Sequence, residues 1–133
     1  MGLFDAIMGN ATAVDDSAII KEYLLPDEEI IQAYRFVRDE IVLTTQGVYQ
    51  VDVQGMTGKK VEVKFFPKSK IKSISFETAG TMDLDVDIKI GVDGNTVFVS
   101  GVPYNAPISF KVPKGQGNQA KEIVKLVKQY YLK

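Results

Sequence analysis

The sequence predicts a mainly β fold closed by one C-terminal helix, and three observations carry that expectation. From Glu28 to Val112, apolar residues recur at every second position in short runs broken by Gly, Asp, Asn and Pro. No helical period separates those runs, which is the pattern of an antiparallel sandwich or barrel rather than of a parallel sheet. Then Asn118–Leu132 (NQAKEIVKLVKQYYL) changes period. Ala120, Ile123, Val124, Val127, Tyr130 and Tyr131 fall on one helical face, and Lys121, Lys125 and Lys128 on another. Such a stripe needs an apolar partner, and the preceding strands supply it. The helix is therefore expected to plug the open end of a curved sheet, with Asn118 capping its first turn.

The elements follow in order. Residues 1–25 read as a helical extension. Leu3, Phe4, Ile7 and Met8 form a short apolar stripe ended by Gly9-Asn10, suited to packing on this domain or on a neighbouring copy. Asp15 or Asp16 caps a second helix carrying Ala18, Ile19, Tyr23 and Leu24, stopped by Pro26. A β-barrel is expected over 28–112. Glu29–Val37, Ile41–Thr45 and Val48–Gln54 are strands, with turns at Arg38-Asp39 and Gln46-Gly47. After the 55–58 loop, Lys60–Phe66 sets Val61, Val63 and Phe65 against Lys60, Glu62 and Lys64, and Pro67 breaks it. Lys70–Glu77 puts Ile74 and Phe76 on one face. Ile71 has the opposite parity, so a bulge is expected near Lys72-Ser73. Met82–Val92 alternates Leu84, Val86, Ile88 and Ile90 inward with Asp83, Asp85, Asp87 and Lys89 outward. Asp93-Gly94 is a two-residue hairpin signal, with Asn95–Gly101 as the returning strand. Ile108–Val112 is the last strand, and 118–132 is the capping helix.

A chain of 133 residues is expected to form a single domain. No apolar run approaches the ~20 residues of a membrane span, and the N-terminus lacks the pattern of a secretion signal. The chain has no cysteine and no histidine. The first absence fits a cytoplasmic protein and removes disulfides and thiol chemistry. The second removes the commonest general base and metal ligand. Net charge is −1, but it is distributed in blocks: nine acids against three bases over 1–40, then six lysines against one acid over both 59–72 and 105–133. Solvated faces explain such blocks. So does an acidic surface on one copy meeting a basic surface on the next.

Several stretches together resemble the bacterial pleckstrin-homology-like domains. They are LFDAIMGNA at the N-terminus, Arg38-Asp39, Val51-Asp52, and the run Gln54-Gly55-Met56-Thr57-Gly58-Lys59-Lys60. Pro67 with Lys70-Ile71, the run Glu77-Thr78-Ala79-Gly80-Thr81, and Asp83-Leu84-Asp85 complete the set. The resemblance implies two near-orthogonal antiparallel sheets, seven strands in all, with a C-terminal helix across one open end. It also implies homo-oligomers, often ring-like, and no enzymatic activity. The phosphoinositide motif of the eukaryotic relatives does not carry over: the stretch Arg35–Asp39 is a tight turn containing an acid, and the chain has no Trp in the closing helix.

Each candidate site has a plain structural alternative. Asp83, Asp85 and Asp87 resemble a calcium string. On a strand, however, they stand ~7 Å apart in a row, which suits a solvated or partner-facing edge better than a metal. The 55–60 loop lacks the spacing and the helix of a phosphate loop. Lys59, Lys60, Lys64 and Lys68 form a candidate anion or lipid patch. Phe65 is expected to serve the core there, and Phe66 to lie exposed beside Pro67 for a protein or peptide partner. The overall charge argues against nucleic acid. No cofactor, metal or catalytic group is expected. The function expected is a non-enzymatic scaffold that self-associates through Leu3, Phe4, Ile7, Met8, Asp83, Asp85 and Asp87, with peripheral binding to anionic membrane as the alternative. That assembly should weaken at high salt, and Asp85→Lys should break it.

Overall fold

The computed structural model describes residues 12–14, 19–36, 39–54, 60–78, 80 and 85–133. The chain divides into two compact units, Met1–Phe65 and Phe66–Lys133.

The first unit is built on a five-stranded antiparallel sheet in chain order: β1 (Thr12–Val14), β2 (Ile30–Arg35), β3 (Asp39–Thr44), β4 (Gly47–Gln54) and β5 (Lys60–Pro67). β1 lies inside the stretch expected to be helical. Its Thr and Val favour extended backbone, and the open edge of β2 gives that backbone a partner, with Ala13 opposite Tyr34. The second helix shrinks to a 3-10 turn, Ile20–Tyr23. Leu24 leaves the turn with extended backbone, and Pro26 disfavours helical backbone at Leu25. Its one buried residue, Ile20, enters a cluster with Ala33, Val42, Tyr49 and Val51. β3 departs from simple alternation: Glu40 through Thr44 are all buried. Ile41, Val42 and Leu43 point to both sides, so both faces of the central strand are covered. The expected cap at Asp15 or Asp16, the stripe Leu3, Phe4, Ile7 and Met8, Arg38, and the 55–58 loop lie outside the described residues.

The second unit holds a three-stranded sheet in the order β10 (Ile108–Val112), β7 (Val86–Val92), β6 (Ile71–Thr78). Val86, Ile88, Ile90 and Val92 are buried, as the alternation requires; Leu84 lies outside the described residues. The β6–β7 register slips between Ile71 and Ser73, the bulge that the parity break predicts. Opposite Ser73 stands Gly91, where a Cβ would run into the Ser73 hydroxyl. The helix α1 (Gly117–Tyr131) packs on β6, β7 and β10 and buries Ala120, Ile123, Val127 and Tyr131. Tyr130 is exposed, one position off that stripe. Asn118 is the second helical residue rather than the cap. Gln116 holds the cap position without a side-chain bond, and the Gln119 amide donates to the Gln116 carbonyl at 3.1 Å.

Asp93-Gly94 turns the chain, with Gly94 at φ +88°, but it does not make a hairpin. Both edges of β7 are already taken by β6 and β10, so the returning strand β8 (Thr96–Val99) cannot pair with it. β8 pairs instead with β9 (Val102–Asn105), a strand not expected from the sequence. The loop between them is Ser100-Gly101, at φ 52° and 78°. Two positive φ values in succession match the twist of a two-residue hairpin. The seven strands implied by the resemblance are present as β2–β7 and β10; β1, β8 and β9 are additions.

Candidate interaction surfaces

The β8–β9 hairpin is an arm with an apolar surface and a clamped base. Phe98 is 70% exposed, Val99 58%, Val102 48% and Tyr104 54%. Val99 pairs with Val102, and Val97 with Tyr104, so these four share one face; Phe98 and Pro103 lie on the other. From Gly94 to Phe110 the chain carries no charge. An isolated two-stranded hairpin is marginal in water. Here two asparagines fix its root. The buried Asn95 donates from Nδ2 to the Ala106 carbonyl at 3.0 Å and to that of Pro107 at 3.4 Å. Asn105 donates from Nδ2 to the Val92 carbonyl at 2.8 Å, and its Oδ1 accepts from the Asn95 amide at 3.1 Å. The Ala106 amide closes the ring on the Asn95 carbonyl at 2.8 Å. The arm thus holds apolar side chains in water on a rigid base. The apolar runs 97–99 and 102–104 on either side of the Ser100-Gly101 turn could have revealed it in the sequence.

The other surfaces lie along single elements. Of the acidic row, Asp83 lies outside the described residues, Asp85 is exposed just ahead of β7, and Asp87 is half-buried in β7. Asp87 sits beside Lys111 of the same chain, at 3.8 Å. The two border a shallow depression of about 240 Å³ with Glu77, Lys89 and Ser109. Of the lysine patch, Lys60 and Lys68 are exposed, Lys64 is half-buried, and Lys59 lies outside the described residues. Lys72 approaches Asp93 at 3.9 Å. A groove of about 510 Å³ runs along the end of α1, lined by Lys125, Lys128, Gln129, Leu132 and Lys133.

The two phenylalanines of β5 exchange the roles expected of them. Phe66 is buried, 6% exposed, and Phe65 is 42% exposed, its ring tilted against Tyr49 at 4.6 Å between centroids. Parity assigns a residue to a side of the sheet, and exposure depends on what covers that side. The expected partner contact at Phe66 therefore has no surface to act through.

Two polar clusters lie in the first unit. The buried Glu28 accepts from the Thr44 hydroxyl at 2.7 Å, the Leu25 amide at 3.1 Å and the Tyr49 hydroxyl at 3.3 Å. The Thr44 oxygen accepts in turn from the amides of Gln46 and Gly47. Tyr49 is pushed up to about 12 by burial and by the Glu28 carboxylate it donates to. Near the other end of the sheet, Arg35 Nε donates to Glu40 at 2.7 Å. There Asp39 stands directly across from Asp52. Burial, then the charge of Asp52 and a hydrogen bond to it, raise the Asp39 pKa. Among the described residues, no group of three His, Cys, Asp or Glu is placed to hold a metal ion, and no helix is long and apolar enough to cross a membrane.

Antiparallel sheets followed by a C-terminal helix are the elements of a pleckstrin-homology-like domain. A family model described as bacterial PH domain matches residues 2–129, and the chain belongs to that family. It is similar to the uncharacterized protein YjqA of Bacillus subtilis (strain 168), 41% identical over 97 residues that span 71% of this chain and 78% of that one. Among solved structures it is similar to a pleckstrin homology domain from Shewanella amazonensis SB2B. That likeness has TM-score 0.71 and 33% identity, and covers 99% of this chain and 100% of the other. A protein with a pleckstrin-homology domain from Shewanella loihica PV-4 follows at TM-score 0.70 and 28% identity, covering 92% and 98%.

Proposed function

We propose that the protein is a non-enzymatic binding and scaffold domain that assembles with further copies of itself, and that the β8–β9 arm is its main contact. The observation that carries this reading is the arm: Val99, Val102 and Tyr104 exposed on one face and Phe98 on the other, on a hairpin whose root is fixed by Asn95 and Asn105. Large apolar side chains grouped in water mark a surface that another molecule covers. A rigid root lowers the ordering cost of docking. An arm seated on a different surface of the next copy is a head-to-tail contact, which closes a ring when the rotation allows. Asp85 is available to add a charged rim. Asp87 has Lys111 beside it and contributes less. The absence of cysteine suits a reducing cytoplasm.

Size-exclusion light scattering tests this reading. The wild type is expected at a defined multiple of 14.7 kDa. The double variant Phe98→Ser, Val99→Ser is expected at the monomer mass with an unchanged circular dichroism spectrum. A monomeric wild type, or a double variant of unchanged mass, defeats the reading.

A second reading has its own observation: Lys68, Lys70 and Lys72 are all exposed within five residues of chain. They would hold the domain on an anionic membrane. Flotation with vesicles containing phosphatidylserine, and its absence with neutral vesicles, is the outcome that reading requires.

A further inference from the structure

We infer that the free edge of β6 is a docking site for an extended peptide of another protein, one with apolar residues at alternate positions and an acidic C-terminal end. Among the described residues, β6 is the last strand of its sheet, bonded to β7 on one side only. Successive residues of an edge strand aim their backbone N–H and C=O groups alternately at the neighbour and at open space. The bulge at Ile71 and Ser73 leaves 73–78 as the regular part of that edge. Edges of this kind are usually blunted by charge. Here Ser73-Ile74-Ser75-Phe76 is uncharged.

The side chains define what fits. Phe76 lies in the cross-strand row Phe76–Ile88–Phe110, whose other members are buried, yet Phe76 is 51% exposed. Ile74, in the row with the buried Ile90 and Ile108, is half-buried. Among the described residues, the apolar face of the sheet therefore runs out at β6 with no further strand beside it. An added strand would extend both rows, with an apolar side chain beside Phe76 and another beside Ile74. The opposite face of β6 shows Ser73, Ser75 and Glu77, all exposed, which call for small polar residues between. β10, the other edge, is shorter, and its Ile108, Phe110 and Val112 are buried.

Charge sets the direction. Lys68, Lys70 and Lys72 are exposed at the start of the edge, and Glu77 stands near its end. An antiparallel peptide, the better-bonded arrangement, then places its C-terminal end among the lysines. Backbone pairing supplies affinity in such docking, and alternate side chains supply selectivity.

Fluorescence anisotropy with a labelled probe tests the site. The probe is a short peptide alternating valine and threonine and ending in two aspartates. One control carries proline at its central valine, and another ends in two lysines. Saturable binding of the first probe is expected, about tenfold weaker for each control. Phe76→Asp is expected to weaken binding about tenfold, and Phe76→Thr, which keeps a good strand former, by less. Peptide binding should slow amide exchange over 73–78. No saturable binding, equal binding of the proline control, or an unchanged affinity in Phe76→Asp would each overturn the inference. So would a change of solution mass in Phe76→Asp without peptide binding, which would give the edge to a second copy. Phe98→Ser, Val99→Ser should bind the probe like wild type, so failure of the arm and failure of the edge are distinguishable.

Discussion

Thr44 sits at the centre of three hydrogen bonds that tie the start of β2 to the β3–β4 turn. Its hydroxyl donates to Glu28, and its oxygen accepts from the amides of Gln46 and Gly47. Glu29 and Thr45 add two further bonds beside it, amide to hydroxyl at 3.1 Å and amide to carbonyl at 2.9 Å. Thr44→Val keeps the shape and removes the polar atom. It leaves a carboxylate oxygen and two amides short of a partner, so a loss of about 1–3 kcal/mol is expected in urea unfolding. Asp39 responds to pH in the opposite sense to an ion-paired acid. Its pKa is raised above 3.8 by burial and by Asp52. A raised folded pKa contributes stability at low pH that is lost as pH rises through the folded value. Asp39→Asn should therefore raise the melting temperature at pH 7, with the gain shrinking as the pH falls toward 4. A gain that is flat with pH would show that neither the burial of the Asp39 carboxylate nor its Asp52 contact is the source.

At the scale of the element, the arm and the sheet make a contrast in how a hairpin is held. β6 and β7 are held along eight and seven residues with an unbroken buried row along β7, and the bulge opposite Gly91 accommodates the change of parity. β8 and β9 are held by four residues each and by the two asparagines at the root. Removing one of them should loosen the arm and spare the sheet. Asn105→Ala loses the bonds to the Val92 carbonyl and the Asn95 amide. Hydrogen exchange over 96–104 is expected to quicken at least severalfold, while 86–92 keeps its protection. Equal loss of protection in both would mean that the arm and the sheet open as one unit.

For the whole molecule, the salt dependence of the solution mass separates the two kinds of contact considered for self-association. Charge blocks of opposite sign predict an assembly that weakens from 0.1 to 1 M salt, as the screening length falls from about 10 to about 3 Å. An apolar arm predicts one that persists, because burying apolar surface is little affected by screening. Asp85→Lys should then change the mass less than Phe98→Ser, Val99→Ser does. The reverse order would return the contact to the acidic strand.

Much of this was present in the chain itself. The period-two runs placed β2 to β7 and β10 to within a few residues, because alternate burial leaves a mark on every strand of a half-covered sheet. The parity break at Ile71 placed the bulge, and the three- and four-residue period placed α1. The family was legible in motifs scattered over almost the whole length. What the tertiary structure alone decided is which edges and faces are taken. Asp93-Gly94 is a sound hairpin signal, but both edges of β7 are occupied by partners distant in sequence, so β8 pairs onward with β9. Phe65 and Phe66 differ in parity as expected, yet the covering of each side leaves Phe65 half-exposed and Phe66 buried. Tyr130 lies within the helical stripe by spacing and falls off it by one position of rotation. A local pattern reports period and side. Pairing and burial depend on what else the folded chain brings to that side, and no window of neighbouring residues contains it.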